Sequence, residues 1–75
     1  MSRLPRVTAR QMLTVLERAG FLIVRTRGSH HFLRHRDDAN RTTVIALHPG
    51  ELPRGTVMDI LKQARLSRGQ FLDLL

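Results

Sequence analysis

Two adjacent histidines follow a glycine–serine pair in the segment 25–32, which reads Arg-Thr-Arg-Gly-Ser-His-His-Phe. Histidine transfers protons near neutral pH, because an imidazole ordinarily titrates at about pH 6.5. Arginine binds phosphate through parallel hydrogen bonds from its planar guanidinium. RNA carries its own nucleophile, the ribose 2′-hydroxyl, so a protein that moves protons and holds the phosphate is equipped to cleave it. The segment therefore has the residue types of a metal-independent ribonuclease site.

Each of these residues also has a structural interpretation. A histidine in a strand is commonly a surface residue, so His30 is either a proton-transfer residue or an exposed side chain. Ser29 either contacts phosphate or ends the turn, and His31 is either a second acid–base group or a structural neighbour. The candidate phosphate anchors, whose alternative is a solvated basic edge, are Arg25, Arg27 and Arg34.

The composition indicates a single small domain over residues 1–75. Its 41% hydrophobic content is enough for a thin core and argues against intrinsic disorder. The absence of cysteine excludes disulfides and thiolate–metal sites. No apolar run approaches the ~18–20 residues that cross a bilayer, and the N-terminus lacks the apolar stretch of a signal peptide. We therefore expect a cytoplasmic protein that does not contact a membrane.

The charge of the chain is strongly positive. Thirteen Lys and Arg residues against 6 Asp and Glu residues give a formal net charge of +7. Lys62 is the only lysine, so arginine supplies nearly all of the positive charge. A GC-rich genome explains the preference for arginine over lysine but does not explain the excess of cations. The balance favours a nucleic-acid partner or an acidic protein partner.

The first helix has signals at both of its ends. Thr8-x-x-Gln11 predicts a capping box, in which each side chain accepts a hydrogen bond from a free backbone N–H at the start of the helix. Gly20 stands where a left-handed residue commonly ends a helix. Between them, apolar residues recur at helical spacing, at Ala9, Met12, Leu13, Leu16 and Ala19.

Three runs rich in β-branched and aromatic residues predict strands, which cover residues 21–26, 30–36 and 42–48. The segment 27–29 is predicted as the first turn, and 37–40 as a polar loop between the second and third strands. Alternation along the second strand places His30 and Phe32 on one face and Leu33 on the other. The pattern leaves open which of these two faces is buried.

Two further helices are predicted after the third strand. The rigid connection 49–53 leads to a helix that begins at 55–56, with Thr56 and Asp59 as a capping pair. Ser67-x-x-Gln70 predicts the cap of a short C-terminal helix. The chain therefore carries helix signals on both sides of the strands.

A three-stranded sheet must bury one face, and two amphipathic helices are available to cover it. The expected fold class is α+β, in the order α-β-β-β-α with a short C-terminal helix. The three-stranded antiparallel sheet would pack against two helices and leave its other face in solvent. This arrangement resembles the double-stranded RNA-binding domain.

The motifs and their spacing resemble one known family. Gly-Ser-His-His at 28–31 is followed by His48 and then by Glu-Leu-Pro-x-Gly-Thr at 51–56. This order resembles that of the HicA toxins of bacterial and archaeal toxin–antitoxin systems, over nearly the whole chain from about Thr8 to Leu75. The resemblance implies an mRNA-cleaving enzyme that a HicB antitoxin neutralises.

The resemblance also implies roles for particular residues. His30, the first histidine after Gly-Ser, would be catalytic, and Gly28 would place it. Cleavage would proceed by attack of the 2′-hydroxyl to give a 2′,3′-cyclic phosphate, with no metal or other cofactor. The segment 36–41 departs from the Pro-Asp-Gly type of turn that family members often have, which leaves the shape of this loop open.

Alternatives to this interpretation come from the same residues. The chain could be a non-catalytic double-stranded RNA-binding module, or its basic face could dock an acidic protein. Phe32 is the only aromatic residue near the motif, so weak sequence readout is expected, with affinity coming mainly from phosphate contacts. His48 is interpreted as part of the crossing to the second helix, and a functional contact from it is the lesser alternative.

Overall fold

The computed structural model describes residues 4–75, and its elements follow the predicted order. They are α1 (Ala9–Arg18), β1 (Phe21–Arg27), β2 (His30–His35), β3 (Asp38–Ala46), α2 (Arg54–Ala64) and α3 (Arg68–Leu74). The strands form one antiparallel sheet in the order β1-β2-β3. The α+β architecture, like that of double-stranded RNA-binding domains, is confirmed. Within residues 4–75, no helix has the length and apolar character needed to span a membrane.

Helix α1 begins with the predicted capping box. The backbone N–H of Gln11 donates to Thr8 Oγ1 at 3.1 Å, and the backbone N–H of Thr8 donates to Gln11 Oε1 at 2.8 Å. After the helix, Gly20 has φ +100°, and a Cβ there would lie 3.0 Å from His35 Nε2. Glycine is therefore favoured at this position by both conformation and space. The buried face comprises Ala9, Met12, Val15 and Leu16, whereas Leu13 and Ala19 are half-buried.

The sheet buries the face that carries Leu33, which decides the alternative left open by strand alternation. Leu33 is 1% exposed and belongs to the apolar core. We call the opposite surface of the sheet the open face, and on β2 it carries His30, Phe32 and Arg34. The core side chains that face Leu33 from the other elements include Phe21, Ile45, Val57, Ile60 and Phe71. Removing these side chains from water supplies the main driving force for the fold.

Helix α2 begins earlier than predicted and without the predicted cap. Its first residue is Arg54, and its N-cap is Pro53, which makes no side-chain hydrogen bond. Thr56 already lies in the first helical turn, so the prediction of a Thr56–Asp59 capping pair was wrong. The carbonyl of Pro53 accepts the Val57 N–H at 3.1 Å, so the helix starts directly after the proline, whose ring holds φ at −57°.

Helix α3 begins with the predicted capping box and closes the core. The backbone N–H of Gln70 donates to Ser67 Oγ at 3.0 Å, and the Ser67 N–H donates to Gln70 Oε1 at 2.8 Å. Phe71 is 0% exposed, so this short helix is held mainly by one buried aromatic ring. A hydrogen bond from Arg18 to the carbonyl of Leu74, at 2.8 Å, also joins α3 to α1.

The hairpin between β2 and β3 differs from the prediction. A turn at 36–37 leads into β3 at Asp38, where a loop through Asn40 was expected. The Asn40 N–H donates to Asp38 Oδ1 at 3.0 Å, a side-chain hydrogen bond that is typical of a loop. Here it lies inside β3, because the register between β2 and β3 shifts near the turn. The strand ends at Ala46, and His48 therefore lies outside it.

Candidate active site

The turn between β1 and β2 consists of Gly28 and Ser29 and is one residue shorter than predicted. Arg27 is the last residue of β1 and pairs with His30 across the turn. Gly28 has φ +59°, and type II′ turns take glycine at this position for that reason. A Cβ on Gly28 would meet no atom within 4 Å, so the glycine is needed for the backbone conformation and not for space.

His30 is the first residue of β2, and its side chain is exposed on the open face. Its partners in the ladder are Arg27 on β1 and Ala46 on β3. Directly opposed residues on antiparallel strands have Cβ atoms only ~4.5–5.5 Å apart. The structure therefore brings the candidate proton-transfer residue next to one of the candidate phosphate anchors.

His48 lies beside His30, although eighteen positions separate them in the chain. The two imidazole rings are perpendicular, with interplanar angle 89°, and their centroids are 6.4 Å apart. The Leu47 N–H donates to the carbonyl of Ser29 at 2.8 Å, which keeps the chain after β3 attached to the first turn. From the sequence, His48 was interpreted mainly as part of the connection from the third strand to the second helix. The signal that could have found it is the antiparallel meander, which places the end of the third strand beside the start of the second.

The other candidate arginines lie farther along the open face. The guanidinium carbon of Arg25 is 4.4 Å from the ring centroid of Phe32, its partner in the ladder. This stacking orients Arg25 over the sheet by a cation–π contact. Arg34 is exposed on the same face, two residues beyond Phe32. The open face therefore carries three arginines, Arg27, Arg25 and Arg34, alongside His30.

The structure separates His31 from His30. His31 is half-buried on the opposite face of β2, where its Nδ1 lies 3.1 Å from Thr26 Oγ1. The fourth imidazole, that of His35, is also engaged, because its Nε2 lies 3.0 Å from the carbonyl oxygen of Ala19. Of the four histidines, the structure groups His30 and His48 as the exposed pair.

Arg10 is a cation near His48 that no sequence motif indicated. It lies on the exposed side of α1 and lines the same surface cleft as His48 and Leu47. The start of α1 is held there because Thr8 forms an isolated β-bridge with Glu51, beyond the third strand. An arginine on a helix face usually indicates only a solvated surface, so this proximity depends on the fold.

The charges at this end of the sheet suit an anionic ligand. Glu51, the nearest carboxylate after His48 in the chain, forms an ion pair with Arg6 at 3.5 Å. Within the described part of the chain, no three His, Asp or Glu side chains are grouped so that they could hold a metal ion. The arrangement offers imidazoles that can exchange protons and guanidiniums that attract phosphate.

Comparison with known proteins places the chain in a family. A family model described as the HicA toxin of bacterial toxin–antitoxin matches residues 9–66, which include the three strands, α2 and both exposed histidines. No curated protein matches the chain significantly. Because the family model spans well over half of the sequence, the chain belongs to the HicA toxins of bacterial toxin–antitoxin systems.

Proposed function

We propose that this toxin cleaves mRNA without a metal ion and that His30 is a catalytic residue. The observation that carries the proposal is the exposed imidazole of His30 at the start of β2, with Arg27 directly opposite it in the ladder. An RNA strand lying along the open face presents a phosphate to both side chains. Family membership supports the toxin role, and the geometry supports this choice of reaction.

The proposed reaction is an internal transesterification. The 2′-oxygen loses its proton and attacks the phosphorus, and the bond from phosphorus to the 5′-oxygen breaks as that oxygen gains a proton. The products are a 2′,3′-cyclic phosphate and a free 5′-hydroxyl. His30 transfers one of these two protons, a role that contributes roughly 10²–10⁴-fold to the rate. Guanidiniums that stabilise the developing phosphate charge add to this effect.

The arginines of the open face have separate roles in this proposal. Arg27 holds the reacting phosphate because it lies opposite His30. Arg34 lies on the same strand as His30 and four residues beyond it, or about 13 Å at the usual rise of a strand. Arg34 therefore meets a neighbouring phosphate. Arg25, held over Phe32, also contacts the strand away from the reacting bond.

The first turn and the opposite sheet face support the position of His30. Gly28 adopts the positive φ of the turn, and Ser29 provides the carbonyl that binds the Leu47 N–H. Contact of Gly28 or Ser29 with RNA would come from their backbone groups at the turn. His31 lies on the opposite face of β2 and stabilises the strand through its contact with Thr26.

Arg27→Ala is expected to weaken RNA binding and to lower its dependence on salt. Each phosphate contact with single-stranded nucleic acid contributes about 0.7 to the slope of log affinity against log salt concentration. Lys62→Ala is the matched control, because it removes the same charge from α2. Fluorescence anisotropy at several salt concentrations measures both slopes. Equal slopes for the two variants would contradict a specific phosphate contact by Arg27.

The antitoxin is the partner that membership of the family implies. We propose that it is HicB-like and that it blocks the open face, where the candidate catalytic residue and its arginines are exposed together. An acidic surface on the antitoxin would complement this face, because complementary charge speeds association and selects the partner. Since the proposed substrate is mRNA, the toxin would act in the cytoplasm.

The proposed reaction is tested by removing the nucleophile from the RNA. Antitoxin-free protein with a chelator present should cut an oligoribonucleotide and leave 2′,3′-cyclic phosphate and 5′-hydroxyl ends. A single 2′-deoxynucleotide before the cut bond should prevent cleavage there and leave other bonds sensitive. Mass spectrometry of the fragments identifies the ends. Binding of RNA without any cleavage would contradict the proposal and favour a non-catalytic double-stranded RNA-binding module.

A further inference from the structure

His48 is the one other exposed imidazole that the structure describes at this end of the sheet. Its ring centroid lies 6.4 Å from that of His30, and the two planes are perpendicular. Rings at this separation are too far apart to hydrogen-bond each other directly, so a gap remains between their nitrogens. Both rings are exposed, so a phosphate that lies against them on the surface can be approached by each imidazole.

The position of His48 is determined by the backbone around it. The Leu47 N–H donates to the Ser29 carbonyl at 2.8 Å, and the His48 N–H donates to the Ala46 carbonyl at 3.0 Å. Two residues later Gly50 has φ +94°, a conformation that glycine adopts readily. His48 is therefore held beside the first turn by hydrogen bonds on its N-terminal side, and its own side chain is exposed.

The reaction needs two proton transfers on opposite sides of the phosphorus. The attacking 2′-oxygen must lose a proton, and the leaving 5′-oxygen must gain one, so a base and an acid are both useful. Each group must come within ~2.6–3.2 Å of its oxygen. A single imidazole can approach only one of these oxygens at a time, because attack and departure occur in line.

We propose that His48 is the second catalytic residue and forms an acid–base pair with His30. This inference rests on the proposed RNA cleavage. One neutral imidazole takes the 2′-proton as the 2′-oxygen bonds to phosphorus, and the other, protonated, gives its proton to the 5′-oxygen as the P–O bond breaks. The pair ends with its protonation exchanged and is restored by proton exchange with water. Arg27, opposite His30 in the ladder, and Arg10, which lines the same cleft as His48, supply positive charge for the phosphate.

His48→Ala is expected to slow cleavage of ordinary RNA by ~10²-fold or more, because a positioned acid or base is lost. A thiolate leaving group needs no protonation, so the decisive substrate carries sulfur in place of the 5′-oxygen at a bond that the wild-type protein cuts. With this substrate, the variant that lacks the acid regains most of its rate, and the variant that lacks the base does not. We expect one of His30→Ala and His48→Ala to be rescued, and the other to remain slow.

Several outcomes would overturn the pairing. An acid–base role for His48 would be excluded if His48→Ala cut ordinary RNA at the wild-type rate. It would also be excluded if the sulfur-containing substrate rescued both variants or neither of them. Because His48 is exposed, its truncation should leave the fold intact, and circular dichroism with RNA-binding measurements on a 2′-deoxy substrate confirms this. Lys62→Ala serves as the control variant and should behave as wild type on both substrates.

Cleavage by the two histidine variants and by the wild-type protein separates the acid–base pairing from the proposed RNA cleavage. If the wild-type protein cuts RNA and His30→Ala does not, but His48→Ala cuts normally, then only the pairing is wrong. If the wild-type protein never cuts RNA, the proposed function itself is wrong and the pairing falls with it.

Discussion

His30→Ala is expected to reduce RNA cleavage by at least ~10²-fold while RNA binding is retained. The imidazole supplies a proton transfer that water performs poorly, whereas affinity comes mainly from the arginines of the open face. His30 is exposed and its ring lies near that of His48 rather than in the core, so its truncation should not disturb the core. Single-turnover cleavage of a labelled RNA, with anisotropy for binding, measures both properties.

His31→Ala is the informative comparison for this prediction. The residue is adjacent in the chain, but it lies on the opposite face and contacts Thr26. Its truncation should therefore reduce cleavage much less than the truncation of His30 does. An equal loss in the two variants would indicate that the whole strand, rather than one imidazole, was disturbed. Retained cleavage in His30→Ala would contradict the catalytic role directly.

Phe21→Ala is expected to lower the free energy of unfolding by about 3–5 kcal/mol, because a fully buried aromatic ring leaves a cavity. Phe21 is 1% exposed, packs edge-on against the His35 ring at 5.2 Å, and lies 5.5 Å from the Arg41 guanidinium carbon. Domains of this size are marginally stable, so a loss of this magnitude leaves much of the protein unfolded. Urea unfolding followed by circular dichroism measures the change.

Met58→Ala provides the control for the core substitution. Met58 is 48% exposed on α2, so its truncation should change the free energy of unfolding by no more than ~0.5 kcal/mol. A loss below ~1 kcal/mol for Phe21→Ala would mean that the core collapses onto the vacated volume. That result would contradict the assignment of Phe21 to the core that stabilises the fold.

Local signals predicted the elements whose boundaries depend on nearby residues. Thr8 with Gln11 and Ser67 with Gln70 form the expected capping boxes, because both partners lie within one helical turn. The same reasoning failed at Thr56, because Pro53 starts α2 earlier and leaves the threonine inside the helix. A capping motif is therefore informative only when nothing upstream has already begun the helix.

Pairing between strands limited the prediction of the sheet. The polar composition after Arg36 predicted a loop, yet Asp38 is paired with His35 and already belongs to β3. Register depends on which hydrophobic residues reach the core from a distant part of the chain. The buried face of β2 was undetermined for the same reason, until the packing of Leu33 against the helices decided it.

The sequence by itself determined the residue types of the site, the turn that precedes His30 and the family resemblance. These features are contiguous, and the positive φ of Gly28 is a local requirement that glycine meets. Strand alternation already separates the two adjacent histidines of the motif, and only the tertiary structure joined His30 to His48. Alternation in a strand separates neighbours, whereas the Leu47–Ser29 hydrogen bond joins residues that are distant in the chain. A chemical site depends on such long-range contacts, and they form only when the sheet does.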